Sequence, residues 1–285
     1  MKNALKNHGF FAAALSVLLA AQLTLTGCVG LQFSDLTRLK QPGEGLVPSP
    51  HLAQQTLAPQ GVLKVGVYLG SPTSLVKDSQ TGASRGVAFE LGHSLAQQLQ
   101  VPVQVIQYQR VAEVIEALKL GQVDMTFTNA SAARAQVVDF TPALIQLELG
   151  VLVPANSRIQ KFDDVDQSGV RVGVSQGSSS QAALGQRLKN TQVTPVASLD
   201  VVQKMLRDGQ LDAFATNKGI LFELAEKLNG FQVLSDRWGF ENLAIAVPKG
   251  REAGMPYLQS FAQQTKQSGA LQQMAQRAGL RGMAN

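Results

Sequence analysis

The 285-residue chain is predicted to fold as two similar α/β lobes joined by two crossover strands. Three observations carry this. ALKLGQVDMTFTN at residues 117–129 returns as MLRDGQLDAFATN at 205–217, one pattern written twice, 88 positions apart. KVGVYLGS at 64–71 returns as RVGVSQGS at 171–178. Two further apolar stretches, Leu149 to Val153 and Leu243 to Val247, each run into a proline, Pro154 and Pro248, and read as the segments that carry the chain out of the first lobe and back.

Ahead of the lobes, Lys2 and Lys6 precede an apolar run from Phe10 to Ala21 that stops at Leu25-Thr26-Gly27-Cys28. That is the anatomy of an export signal, too short to span a bilayer and closed by small residues. Residues 28–60 hold Pro42, Gly43, Gly45, Pro48, Pro50 and Pro59 among polar residues and are expected to form a flexible tether; a chain of that length spans about 30 Å on average.

In the first lobe, expected over 61–153 plus 248–285, Val62 to Tyr68 reads as a valine-rich strand. The helix after it sets Phe89, Leu91, Leu95 and Leu99 on or near one face. Val103 to Ile106 is the next strand, Val114, Ile115 and Leu118 stripe the next helix, and Val123 to Thr128 is a third strand. The second lobe, expected over 154–247, repeats the scheme with strand 170–174, a helix around 181–188, strand 193–196, a helix with Ser198 as candidate N-cap, and strand 212–215. Repeated β-α-β units imply largely parallel strands covered by helices, and residues 254–280 read as helices returning to the first lobe.

Composition excludes several classes. With the signal removed the net charge falls from +5 to about +3, because two basic residues and no acids lie in the first 27. No Lys/Arg run suggests a nucleic-acid partner. Cys28 is the only cysteine, and beyond the signal only His51 and His93 remain, so neither a disulfide nor a thiolate or histidine metal site is expected. The Gly-rich turn at 176–180 lacks the lysine of a nucleotide-binding P-loop and the spacing of a dinucleotide site, and no cofactor is expected.

Ligands of α/β sheets gather beyond the carboxyl ends of strands, so Asn129 and Asn217, which end equivalent strands, are expected to look into one cleft between the lobes. Gln176-Gly177-Ser178-Ser179-Ser180 joins a strand to a helix, where backbone N–H groups and the hydroxyls of Ser178 and Ser179 suit an anion; plain helix capping is the other use of these serines.

GVLKVGV at 61–67, GQVDM at 121–125, SAARAQVVDFTP at 131–142 and RVGVSQGS at 171–178, in that order, resemble the family 3 extracellular solute-binding proteins, over about Gly61 to Gly279. The resemblance implies the two-lobed type II periplasmic-binding-protein fold and non-catalytic capture of a small polar solute, an amino acid or related organic acid. It further implies a monomer that delivers to an ABC permease in the inner membrane. Leu-Thr-Gly-Cys is similar to the bacterial lipobox, which implies acylation of Cys28 and attachment on the periplasmic side of a bacterial membrane.

At Arg134 the family's motif places an arginine for the ligand's carboxylate. A guanidinium offers a planar fork of donors that grips both carboxylate oxygens; a salt bridge to nearby Asp139 is the alternative. Asn129 and Ser131 share the loop and would add neutral hydrogen bonds, or serve as ordinary turn residues. Two positions depart from the pattern. Asn217 stands where amino-acid receptors of the family usually have an aspartate for the ammonium group, and the aromatic wall after the first strand is missing, with Tyr68 as a candidate replacement. Glu148, a charge inside an apolar run, either supplies the missing negative group or sits at an exposed edge. Other functions of the same scaffold are a cyclohexadienyl-dehydratase-like enzyme, for which Glu148 is the acid on offer, and a sensing subunit for a signalling receptor.

Overall fold

The computed structural model describes residues 49–78 and 80–284. The expected signal, Cys28 and the tether up to residue 48 lie outside the described residues.

The first described element corrects the tether's extent. Residues Pro50–Leu57 form helix α1, started by Ser49, whose hydroxyl accepts from the Leu52 N–H at 3.4 Å, with Pro50 in the first turn, where the missing N–H costs nothing. Ala53 and Leu57 are buried in the core of lobe 1. The helix is therefore packed structure, opened by Pro50 and followed by Pro59.

Lobe 1 begins with β1 (Leu63–Tyr68). A small hairpin follows, β2 (Val76–Lys77) and β3 (Ser84–Arg85), then α2 (Val87–Leu99), β4 (Val103–Tyr108), α3 (Val111–Lys119), β5 (Thr126–Asn129), the short α4 (Ala132–Ala135) and β6 (Val138–Phe140). β1 pairs parallel with β4, and a parallel bridge from Val65 to Met125 ties it to the segment before β5. The apolar face of α2 carries Leu91, Leu95 and Leu99 into a core with Val65, Met125 and Phe127. Gly92 lies so close to β1 that a Cβ there would stand 2.5 Å from Val65 Cγ2. The closing helices α8 (Met255–Gln267) and α9 (Ala270–Arg277) join the same core through Leu258, Phe261, Leu271 and Met274, as expected of a returning chain.

The crossovers are longer than their apolar cores suggest. β7 (Ile145–Pro154) and, much later, β12 (Gly239–Pro248) are ten residues each and pair antiparallel over Ile145–Leu149 and Gly239–Leu243. Lobe 2 lies between them in sequence: β8 (Arg171–Ser175), α5 (Ser179–Arg187), β9 (Gln192–Val196), α6 (Leu199–Arg207), β10 (Ala213–Asn217), α7 (Lys218–Lys227) and β11 (Phe231–Val233). β8 pairs parallel with β9 and β10, whereas β10 meets β7 antiparallel and β5 meets β12 antiparallel. One eight-stranded sheet thus runs through both lobes along the β7–β12 ribbon.

The duplication is visible in that pairing. Asn129 ends β5 opposite Leu243 of one crossover, and Asn217 ends β10 opposite Leu149 of the other.

Candidate ligand-binding site

The ends of β1, β5, β8 and β10 meet at a cleft that draws Tyr68, Thr128, Asn129 and Arg134 from lobe 1, Ser175, Ser178, Ser179 and Asn217 from lobe 2, and Glu241 and Leu243 from the returning crossover. Its walls touch. Asn129 Nδ2 donates across the gap to Ser179 Oγ at 3.0 Å, and Arg110 Nη1 reaches the Ala197 carbonyl at 3.4 Å. Gly177 meets α3 so closely that a Cβ would lie 2.5 Å from Ala112 Cβ. The free volume is about 30 Å³, room for one or two waters, so a solute must part the walls to enter.

Arg134 is held by α4, whose N-cap Ser131 accepts from the Arg134 N–H at 3.3 Å. The guanidinium spends one nitrogen on the protein: Nη1 donates to Thr128 Oγ1 at 2.8 Å and to the Asn129 carbonyl at 3.3 Å. Nη2 and Nε have no partner among the described residues. The salt bridge to Asp139 is not made, because Asp139 pairs with Lys249. Burial pulls the Arg134 pKa down from its ordinary value and the nearby Glu241 opposes this; the group stays protonated at any ordinary pH.

On the opposite wall, Ser178 caps α5 by accepting from the Gln181 N–H at 3.1 Å. Gln181 folds back to take the Gly177 N–H at 2.6 Å, which leaves the N–H groups of Ser179 and Ser180 without an acceptor among the described residues. Tyr68 is buried and lies 3.3 Å from Thr73 Oγ1 through its hydroxyl. Burial pushes its pKa up, so it acts as a neutral hydrogen-bonding group.

Asn217 and Glu148 take places that the sequence does not reveal. Asn217 caps α7, its Oδ1 accepting from the Ile220 N–H at 3.1 Å, which orients the amide so that Nδ2 donates to Glu241 Oε2 at 3.1 Å. Glu148 does not line the cleft: it pairs with Lys218 at 2.8 Å and Arg237 at 3.1 Å, and these bonds hold its carboxyl below the ordinary range. Ser131 faces an adjoining groove that also includes Trp238 and Phe240.

The residue that sequence reasoning missed is Glu241. Only 8 % exposed, it is the carboxylate that the cleft contains. A signal was available, since alternation along β12 puts Glu241 on the face of Leu243 and Ile245, but the apolar core of that strand starts two residues later.

The model of the bacterial extracellular solute-binding proteins, family 3, matches residues 63–280. The chain belongs to this family. Among curated relatives, the ABC transporter glutamine-binding protein GlnH of Bacillus subtilis (strain 168) is 24% identical over 185 residues, 62% of this chain and 66% of that protein. A glutamine-binding protein of Geobacillus stearothermophilus is 23% identical over 244 residues, 82% of this chain and 92% of its own. Among solved structures, the ancestral amino acid-binding protein AncCDT-1, a precursor of cyclohexadienyl dehydratase, superposes with a TM-score of 0.69 at 22% identity, covering 79% of this chain and 97% of its own. That likeness establishes the two-lobed fold.

Proposed function

We propose that the protein captures a small carboxylate-bearing solute, an amino acid or a close relative, between its lobes and delivers it to an ABC permease. The observation that carries this reading is the Arg134 guanidinium, half-buried in the cleft with Nη2 and Nε uncommitted. A planar carboxylate fits those two donors, and the free N–H groups at the start of α5 offer it a second contact from the other lobe. Contacts to both walls favour the closed arrangement, so binding and closure are one population shift. The amino-acid-binding relatives support the same class of solute.

Leu25-Thr26-Gly27-Cys28 supports acylation of Cys28 and attachment outside the cytoplasmic membrane. Calorimetric titration with the twenty L-amino acids tests the assignment: a binder should also raise thermal stability, by about 2.7 kcal/mol at a hundred times its Kd. Silence of every amino acid and of simple organic acids would refute it. A buried acid beside Arg134, on a scaffold shared with a dehydratase precursor, gives the enzymatic alternative one specific support. Release of water and carbon dioxide from prephenate would decide for that alternative.

A further inference from the structure

We propose that the Glu241 carboxylate is the acceptor for a primary ammonium group on the solute, and that Asn217 orients this carboxylate instead of contacting the solute. The inference rests on the carboxylate-capture reading above and extends it to the solute's other end.

Glu241 lies in the cleft, only 8 % exposed, and among the described residues its side chain forms no ion pair. Its hydrogen bonding from the protein consists of one neutral amide, Asn217 Nδ2 on Oε2; Oε1 accepts nothing among the described residues. A buried carboxylate left in that condition is unfavourable, and burial accordingly pushes its pKa up, with Arg134 and the Asn217 bond acting the other way. An ammonium group arriving at Oε1 supplies both the missing charge and the missing donor.

Asn217 is unsuited to that task. The Ile220 N–H occupies its carbonyl oxygen, and the amide presents N–H groups toward the cleft side, which repel an ammonium rather than accept from it. Glu148 is unsuited for another reason. In the β7–β12 ladder Glu148 stands opposite Phe240 and Glu241 opposite Leu147, so the two carboxylates project to opposite faces of the ribbon, and Lys218 and Arg237 already neutralise Glu148.

The charged and titratable groups that face Glu241 are Arg134 from α4 and Tyr68 from β1. Arg134 and Glu241 do not pair with each other: a gap wider than an ion pair separates a cation with free donors from an anion with a free acceptor. A zwitterion carries one group for each. A dicarboxylate without an amine would bring a second negative charge against Glu241.

The test is calorimetric titration of the wild-type protein and of Glu241→Gln with each of the twenty L-amino acids and, for those that bind, with the same acid lacking its α-amino group, such as glutaramate for L-glutamine. The wild type is expected to prefer the amino acid by about ten- to a hundred-fold, the worth of a hydrogen bond to a charged group. Glu241→Gln, which keeps the shape and the acceptor for Asn217, is expected to erase that preference while changing the affinity of the deaminated acid less than about threefold. Equal wild-type affinity for both members of each pair overturns the proposal and leaves carboxylate capture standing; the wild-type comparison needs no variant to fold. An equal loss for both members in Glu241→Gln likewise overturns it, and absence of binding by every compound removes the capture reading and this proposal together.

Discussion

Replacing Arg134 with alanine isolates the carboxylate grip. In the proposed solute contact the side chain would use Nη2 and Nε, two donors that no protein atom among the described residues claims, while Nη1 is committed to Thr128 and Asn129. Truncating one member of a buried charged pair costs about 2–5 kcal/mol, so the Kd of a carboxylate solute should rise roughly 30-fold to several thousand-fold. The fold should tolerate the change. Two hydrogen bonds are lost, about 1 kcal/mol each, and the cost of burying a charge disappears with them, so the midpoint of thermal unfolding should move by no more than about 4 °C. Calorimetric titration with L-glutamine and the other L-amino acids, beside a melting curve, reads both quantities. Arg134→Lys keeps the charge but loses the fork and should fall between wild type and alanine. A well-folded Arg134→Ala protein with unchanged affinity would refute the assignment of this residue to the solute.

Asn217→Asp would set a second carboxylate about 3.1 Å from Glu241, so it should weaken amino-acid binding and lower stability by about 1–3 kcal/mol at neutral pH; tighter binding would mean that position 217 itself meets the ammonium group. Glu241 and the other shifted carboxylates give opposite pH signatures. The Glu241 pKa is raised by burial, so its folded-state proton is lost only above the unfolded value, and stability falls as pH rises through that window; without solute, Glu241→Gln should melt higher than wild type at pH 7 and equally below about pH 4. Asp166, held down by backbone N–H groups, and Glu148 and Asp212, held down by their ion-pair hydrogen bonds, have lowered values, so their stabilisation is present above about pH 4 and lost as pH falls further. Cys28→Ser should abolish metabolic labelling with radioactive palmitate and release the protein from membranes; continued labelling would contradict acylation at that sulfur.

Much of the scaffold is legible because it was written twice. The repeated GQ-D pattern brings Asn129 and Asn217 to equivalent strand ends, and local signatures such as Ser131 before α4, Ser178 before α5 and Ser198 before α6 mark helix starts that the backbone adopts. What escapes is non-local. Asp139 finds Lys249 across 110 positions instead of its near neighbour Arg134, and Glu148 finds Lys218 and Arg237. α1 hides among prolines because two buried side chains, Ala53 and Leu57, are enough to dock it. Glu241 hides because a strand read from its apolar core begins too late, and Gly239, Glu241 and Asn242, with Phe240 alone among them, give no hydrophobic run to extend it.

The shared ribbon of β7 and β12 has one more implication. Glu241 belongs to neither jaw; it sits on the ribbon common to both, opposite Leu147. If the lobes open about that ribbon, a group on it sweeps the shortest arc, whereas Arg134 rides on a jaw through α4. Cargo would therefore meet the same stationary anchor whether the mouth is wide or shut, and exchange of that single anchor would retune what is carried without redesigning how the machine bites.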